Sequence, residues 1–229
     1  HHLLIKFFDL MIEVALFPIP NAVNFPGVPT PLHVFEPRYR KMVKYCIDHN
    51  VMLGVCHTEK VVHANTRDQT REEALNSNHS TYKPCAVFSA GKVELLEEMD
   101  DGRMAIMVNF EMRLQLRQER QTLPFNIWGC DLYEDELLED DGLTGLLRQS
   151  YEKIMQRLLT LSHGNNEAQT MLTGDHWQNM SPVEFSFLVN GLIGMPAENK
   201  QDLLEMRQPQ KRLDAILELI NSIQQPLSE

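Results

Sequence analysis

Apolar residues change their spacing several times along this chain. Over residues 13–34, short apolar stretches are cut by Pro18, Pro20, Pro26, Gly27, Pro29 and Pro31. Proline fixes φ and removes a backbone donor, so this punctuation predicts short strands and turns and argues against a continuous helix. Over 36–49, Tyr39, Met42, Val43, Cys46 and Ile47 recur at helical spacing. That predicts one amphipathic helix with Pro37 in its first turn, where a missing N–H is harmless. Residues 51–62 predict a strand. Residues 65–83 are polar and charged with a single leucine, too little apolar surface to order strongly, and a long mobile loop is expected there.

Residues 86–97 and 103–116 are rich in Val, Ile, Leu, Phe and Met, and Asp101-Gly102 lies between them. This pair is preferred where a tight turn needs positive φ, so a β-hairpin is predicted. A further strand is predicted over 125–133. The acidic run that follows, Glu134, Asp135, Glu136, Glu139, Asp140 and Asp141, closes at Gly142 and is expected to be a solvated linker. Beyond it the period becomes helical: Leu143, Leu146, Leu147, Ser150, Tyr151, Ile154, Leu158 and Leu161 lie along one face, ending near Gly164. Ser181-Pro182-Val183-Glu184 has the form of a capping box opening a helix to about Leu192. Two more helices are predicted over 196–206 and 208–223. The expected architecture is α+β: a β domain with one helix over 11–134, an acidic linker over 135–142 and a helical bundle over 143–229. His1 and His2 ahead of Met11 suggest that residues 1–10 are a remnant preceding a native start.

Composition narrows the function classes. Of 229 residues, 43% are apolar and 23% charged, and 21 Lys and Arg stand against 32 Asp and Glu for a net charge of -11. Such a balance repels phosphate backbones, so broad nucleic-acid binding is disfavoured. The local basic density, Arg38, Arg40, Lys41 and Lys44, is confined to one predicted helix, and RNA binding is kept as the alternative function. Lys6, Asp9 and Glu13 interrupt the apolar N-terminal region, which argues against an export signal or a membrane span. Cys46, Cys56, Cys85 and Cys130 form no C-x-x-C pair, a pattern of reduced thiols that makes the cytoplasm the expected compartment. Cys56, His57, His63 and Cys85 match no compact zinc spacing, and neither metal nor cofactor is expected. The sequence has no phosphate-cradling glycine loop, no H-E-x-x-H and no G-x-S-x-G, so no catalytic residue is assigned and an enzyme is not expected. Glu97, Glu98, Asp100 and Asp101 flank the hairpin tip, where paired carboxylates are solvated and poor acid–base partners.

Residues 16–42, LFPIPNAVNFPGVPTPLHVFEPRYRKM, resemble the opening of the Lon protease amino-terminal domain: an L-F-P element, an F-P-G turn, then P-L-x-[IV]-F-E-x-R-Y. Ala90-Gly91-Lys92-Val93-Glu94 through Arg113 is similar to that family's central hairpin, and Leu123-Pro124-Phe125 through Tyr133 to its next strand. Residues 195–205 and Lys211-Arg212-Leu213 are similar to its closing helices. The resemblance spans about residues 13–223. It implies a PUA-like, six-strand pseudo-barrel followed by a helical domain, used in the full protease to engage substrate proteins and assist assembly. Lon-type proteases place an ATPase and a Ser-Lys peptidase after this region, and neither motif stands before Glu229. The implied function is a non-catalytic module that recognises unfolded or client proteins, in quality control or as an adaptor beside a separate protease.

Ser89-Ala90-Gly91 echoes the family's catalytic serine, but Lys92 next to it belongs to the opposite strand face and Ser89 is read as a strand residue. The expected partner surface is Phe25, Pro26, His33, Glu36, Arg38 and Arg40. Phe25-Pro26-Gly27 is also expected to fix a turn, Glu36 and Arg38 to bond across the strand–helix junction, and Phe35 and Tyr39 to anchor the core. Edge strands and a mobile segment suit peptide capture, because main-chain pairing tolerates many sequences.

Overall fold

The proline-punctuated opening folds as two short strands and a helix: β1 (Ile12–Pro18), β2 (Thr30–Val34) and α1 (Pro37–His49). The structure, a computed structural model, describes residues 11–60, 82–136 and 141–223, in two compact units that meet in sequence at Tyr133 and Glu134. The first unit continues with β3 (Met52–Cys56), β4 (Thr58–Lys60), β5 (Tyr82–Pro84), β6 (Val87–Glu98), β7 (Met104–Gln121) and β8 (Asn126–Leu132). β1 runs parallel to β3 and antiparallel to β8. β3 pairs with β6, β6 with β7, and the second half of β7 with β8, which closes five strands into a barrel. β2 joins the first half of β7 and ends the six-strand order. The fold class is α+β, with a mixed six-strand sheet and a helical C-terminal region.

Val14, Ala15, Leu16 and Phe17 are all buried because β1 is covered on both faces. Alternate side chains enter different cores: Ala15 and Phe17 pack with Met42, Val43 and Cys46 of α1, and Val14 and Leu16 with Phe88, Leu114 and Cys130. The β6–β7 turn puts φ +81° on Gly102 alone, with Gly102 N–H bonded to Met99 O and Met99 N–H to Arg103 O, each at 2.8 Å. This is a three-residue loop with a left-handed glycine. Asp101 accepts from the Arg103 backbone N–H at 3.1 Å and from its Nε at 2.7 Å, bonds that hold its carboxyl below the usual carboxylate value.

Two strand expectations are corrected. The run over 51–62 breaks at His57, so β3 ends at Cys56 and β4 forms a separate two-strand ladder with β5. Lys83, placed at the end of a loop, lies in β5. The rest of that loop expectation up to residue 81 lies outside the described residues, as do residues 61–64 and 1–10.

The second unit contains α2 (Asp141–Leu161), α3 (Asn166–Thr173), α4 (Asp175–Asn179), α5 (Pro182–Leu188) with a 3-10 turn at Val189–Gly191, α6 (Ala197–Glu205) and α7 (Pro209–Ser222). Ser181 Oγ accepts from the Glu184 N–H at 3.2 Å, the cap that its sequence predicted. Ile154, Phe185, Leu204, Leu213 and Ile216 are among its buried side chains. The acidic run is not uniformly solvated. Asp135 is half-buried and accepts from Arg212 Nη1 and Nη2 at 3.0 and 2.8 Å, while Glu136 N–H donates to Arg207 O at 2.7 Å. A guanidinium buried in a helical core requires an anion, and Asp135 supplies it. Residues 137–140 lie outside the described residues. Among the described residues no helix is long and apolar enough to cross a membrane.

Candidate functional site

Pro18 and Pro20 end the regular pairing of β1, and the chain turns at Asn21, φ +63°. The Ile19 N–H still bonds Cys56 O at 2.9 Å, holding this end against β3. Across from it, β2 runs into α1. Between them lies a groove of about 490 Å³ lined by Phe17, Pro18, Ile19 and Pro20 on one wall and by Leu32, His33, Val34, Phe35, Glu36, Arg38 and Tyr39 on the other. Its floor is aromatic: the Phe17 and Tyr39 rings lie 4.2 Å apart between centroids. Burial raises the Tyr39 hydroxyl above its ordinary value, so it stays a neutral phenol. Arg38 sits 4.5 Å above the Tyr39 ring and donates from Nε to Glu36 Oε2 at 2.9 Å. Those two charges oppose each other, leaving an apolar groove with a neutral rim.

The residues expected to form one partner surface separate into three places. His33, Glu36 and Arg38 line the groove. Phe25 is buried and Pro26 half-buried in a turn pinned to the barrel, where Gly27, φ +83°, donates its N–H to Phe110 O at 2.9 Å. Arg40 reaches the hairpin turn, donating from Nη1 to Asp101 O at 3.1 Å. Phe35 is not a core anchor: it is 66% exposed. Val34 takes the inward position at the end of β2, and alternation turns the next side chain outward. Tyr39 is half-buried against the core. Sequence reasoning missed the first wall of the groove, although two prolines within three residues, stopping a strand beside apolar side chains, were a usable signal.

Other candidate chemistry is absorbed by the fold. Ser89 is fully buried and its hydroxyl donates to Asn24 O at 2.7 Å, while Lys92 is exposed. His57 Nδ1 accepts from the Asn21 N–H at 2.8 Å, and Cys85 Sγ donates to Glu59 Oε1 at 3.6 Å. Among the described residues, no three His, Cys, Asp or Glu side chains are grouped to hold a metal ion. The four cysteines are free and buried. Burial pushes the Cys46 and Cys130 thiols up to about 12 and Cys56 upward as well, so they are inert near neutral pH. Of the basic residues on α1, Arg38 and Arg40 are bonded as above and Lys44 pairs with Glu98 at 2.9 Å. Lys41 alone among them lacks a bonded partner among the described residues, too little for a phosphate-binding face.

A barrel with one strand added to its flank, a groove beside that strand, and a following helical unit define a class of α+β domain. Residues 13–222 match the family model described as the ATP-dependent protease La (LON) substrate-binding domain, and the chain belongs to that family. Among curated proteins it is 22% identical over 213 residues to a Lon protease of Anaeromyxobacter dehalogenans, a match covering 93% of this chain and 23% of that protein's length. Among solved structures it is similar to the N-terminal domain of a Mycobacterium avium complex Lon protease, with TM-score 0.64, 13% identity and coverage of 93% of this chain and 100% of that one. A Lon N-terminal domain protein from Xanthomonas campestris gives TM-score 0.55 and 17% identity, with the same coverage of both chains.

Proposed function

We propose that this chain is a non-catalytic client-recognition module of the cytoplasm that binds unfolded segments of other proteins in the groove between the end of β1 and β2–α1, in quality control or as an adaptor beside a protease. The observation that carries this reading is Phe35. A large aromatic side chain left 66% exposed at the rim of an apolar groove of about 490 Å³ has no role in the core. Leu32, Ile19 and the Phe17–Tyr39 stack supply the apolar floor beside it, and the Glu36–Arg38 pair keeps the rim neutral.

The test uses reduced, carboxymethylated α-lactalbumin, which cannot fold, labelled for fluorescence anisotropy. Replacing Phe35 by Ser removes on the order of 1–2 kcal/mol of apolar contact, so affinity falls about tenfold while thermal stability stays unchanged. Equal binding by wild type and Phe35→Ser rejects the groove as the client site. Incubation with casein, with and without ATP, yields no cleavage; cleavage that is lost on substitution of one of this chain's own side chains rejects the non-catalytic reading.

A further inference from the structure

The pairings of the hairpin determine which backbone groups of β2 are unused. Met99 N–H bonds Arg103 O, so the peptide groups of Arg103 face β6. Backbone groups alternate along a strand, so Ala105 and Met107 also face β6 while Met104, Ile106 and Val108 face β2. Their partners in the register are Val34, Leu32 and Thr30, which therefore make the ladder bonds. Pro31 and His33 point their backbone groups to the opposite side. The sequence agrees independently, because a proline has no N–H for the ladder and is tolerated in a strand only where that position faces away from it. β2 ends the strand order, so among the described residues the Pro31 carbonyl and the His33 N–H and C=O form an open edge, and this edge lies along the groove.

We propose that clients bind here by strand addition: an extended, uncharged segment of an unfolded chain pairs with the free edge of β2 through His33 and Pro31 and drops alternate side chains into the groove. The inference rests on the client-recognition reading and specifies how the groove is used. An extended chain is the occupant that offers backbone donors and acceptors at the period of β2 and apolar side chains on one face together. The inserted side chains are uncharged because Glu36 and Arg38 neutralise each other across 2.9 Å and leave no net charge on that wall to meet an ion. Exposed Phe35 covers the outer side of the incoming strand. A net charge of -11 on the whole chain favours clients whose flanks are basic.

The probe is a fluorescein-labelled peptide with a Thr-Leu-Thr-Val-Thr-Leu-Thr core between lysines, titrated with the full chain. His33→Pro removes the outward N–H without touching a ladder bond and weakens binding about five- to tenfold, the worth of one hydrogen bond. His33→Ala keeps the N–H and weakens binding less than His33→Pro does. Two N-methylated versions of the peptide, modified at alternate residues in opposite registers, give the complementary result: one loses binding and the other retains it. Full binding by a folded His33→Pro protein, or equal binding of both N-methylated peptides, overturns strand addition. If His33→Pro does not fold, the N-methylated pair on wild type decides alone. Binding of lactalbumin and the parent peptide that ignores both changes overturns this inference but not the client reading, whereas failure of wild type to bind either probe overturns both.

Discussion

Replacing Asp135 by Asn tests the energetics of the helical unit most directly. Arg212 has no exposed surface, yet all three guanidinium nitrogens are bonded. Nη1 and Nη2 donate to the two Asp135 oxygens at 3.0 and 2.8 Å, Nε donates to Ser186 Oγ at 2.9 Å, and Nη1 also donates to Met206 O at 2.7 Å. The Phe187 ring lies 3.8 Å below Cζ. Removing the carboxylate charge leaves a buried cation without its anion, which costs about 3–5 kcal/mol for an enclosed pair. The Asp135 side chain retains 16% exposure, and water reaches it, so the lower figure of about 3 kcal/mol applies. Arg212→Met keeps the volume and loses the bonds but frees Asp135 to hydrate, for about 2 kcal/mol. The double variant carries no stranded charge and is destabilised by about 2 kcal/mol, well below the sum of the singles. Urea unfolding followed by far-UV circular dichroism, where the helices dominate, measures each corner of the cycle. A loss under about 1 kcal/mol for Asp135→Asn, or simple additivity, refutes the claim that this pair anchors the start of the unit.

The remaining predictions concern the barrel. A Cβ on Gly91 would lie 1.8 Å from Asn109 O and 2.6 Å from Phe110 Cα, both backbone atoms across a bulge. Gly91→Ala therefore destabilises by about 3 kcal/mol or more in thermal unfolding of the purified chain, and a loss under about 1 kcal/mol contradicts the register. The buried thiols do not react with Ellman's reagent at pH 8 until the protein is unfolded, when all four titrate; rapid reaction of the native protein contradicts their burial. Burial raises Cys46 and Cys130 from 9.0 to about 12, and Cys56 rises too. The unfolded state releases these protons above pH 9 while the folded state keeps them, so their contribution is complete below pH 9 and is lost as pH rises toward 12. At pH 10 this amounts to about 1 kcal/mol per thiol. Denaturant midpoints measured from pH 8 to 11 fall accordingly, and the fall is smaller in Cys46→Ala.

Local periodicity carried most of the fold. The spacing of Tyr39, Met42, Val43 and Cys46 marked α1, and the apolar runs on either side of Asp101-Gly102 marked β6 and β7, because each pattern has one period and one buried face. What sequence left unread depends on distance. Arg212 follows Lys211 and reads as a surface cation; only the fold brings Asp135, 77 residues earlier, into position to make it a core residue. The short helices α3 and α4 carry few apolar residues and give weak periodicity. At the groove, the motif residues were legible but their division of labour was not. Phe25, Pro26 and Gly27 secure a turn to Phe110, and Arg40 clamps the hairpin, while Phe35, taken for a core residue, is 66% exposed beside the groove. A linear motif does not say which of its side chains the strand alternation turns outward.

That division follows from where the prolines fall. Pro18 and Pro20 stop β1 from continuing its ladder, and Pro31, which has no N–H to give, sits where β2 turns its backbone away from β7. The two elements therefore stand beside each other with apolar side chains between them and, among the described residues, no strand bridging them. In most sheets an unpaired edge of this kind is shielded by charge or by a covering element. Here the nearby charges, Glu36 and Arg38, are spent on each other at 2.9 Å, and Phe35 adds apolar surface where protection would call for a lysine. An edge left open, neutral and apolar is a hazard in a protein with no use for it. The same residues fold the barrel and build the groove, so unfolding the β1–β2 region removes the groove and the open edge together.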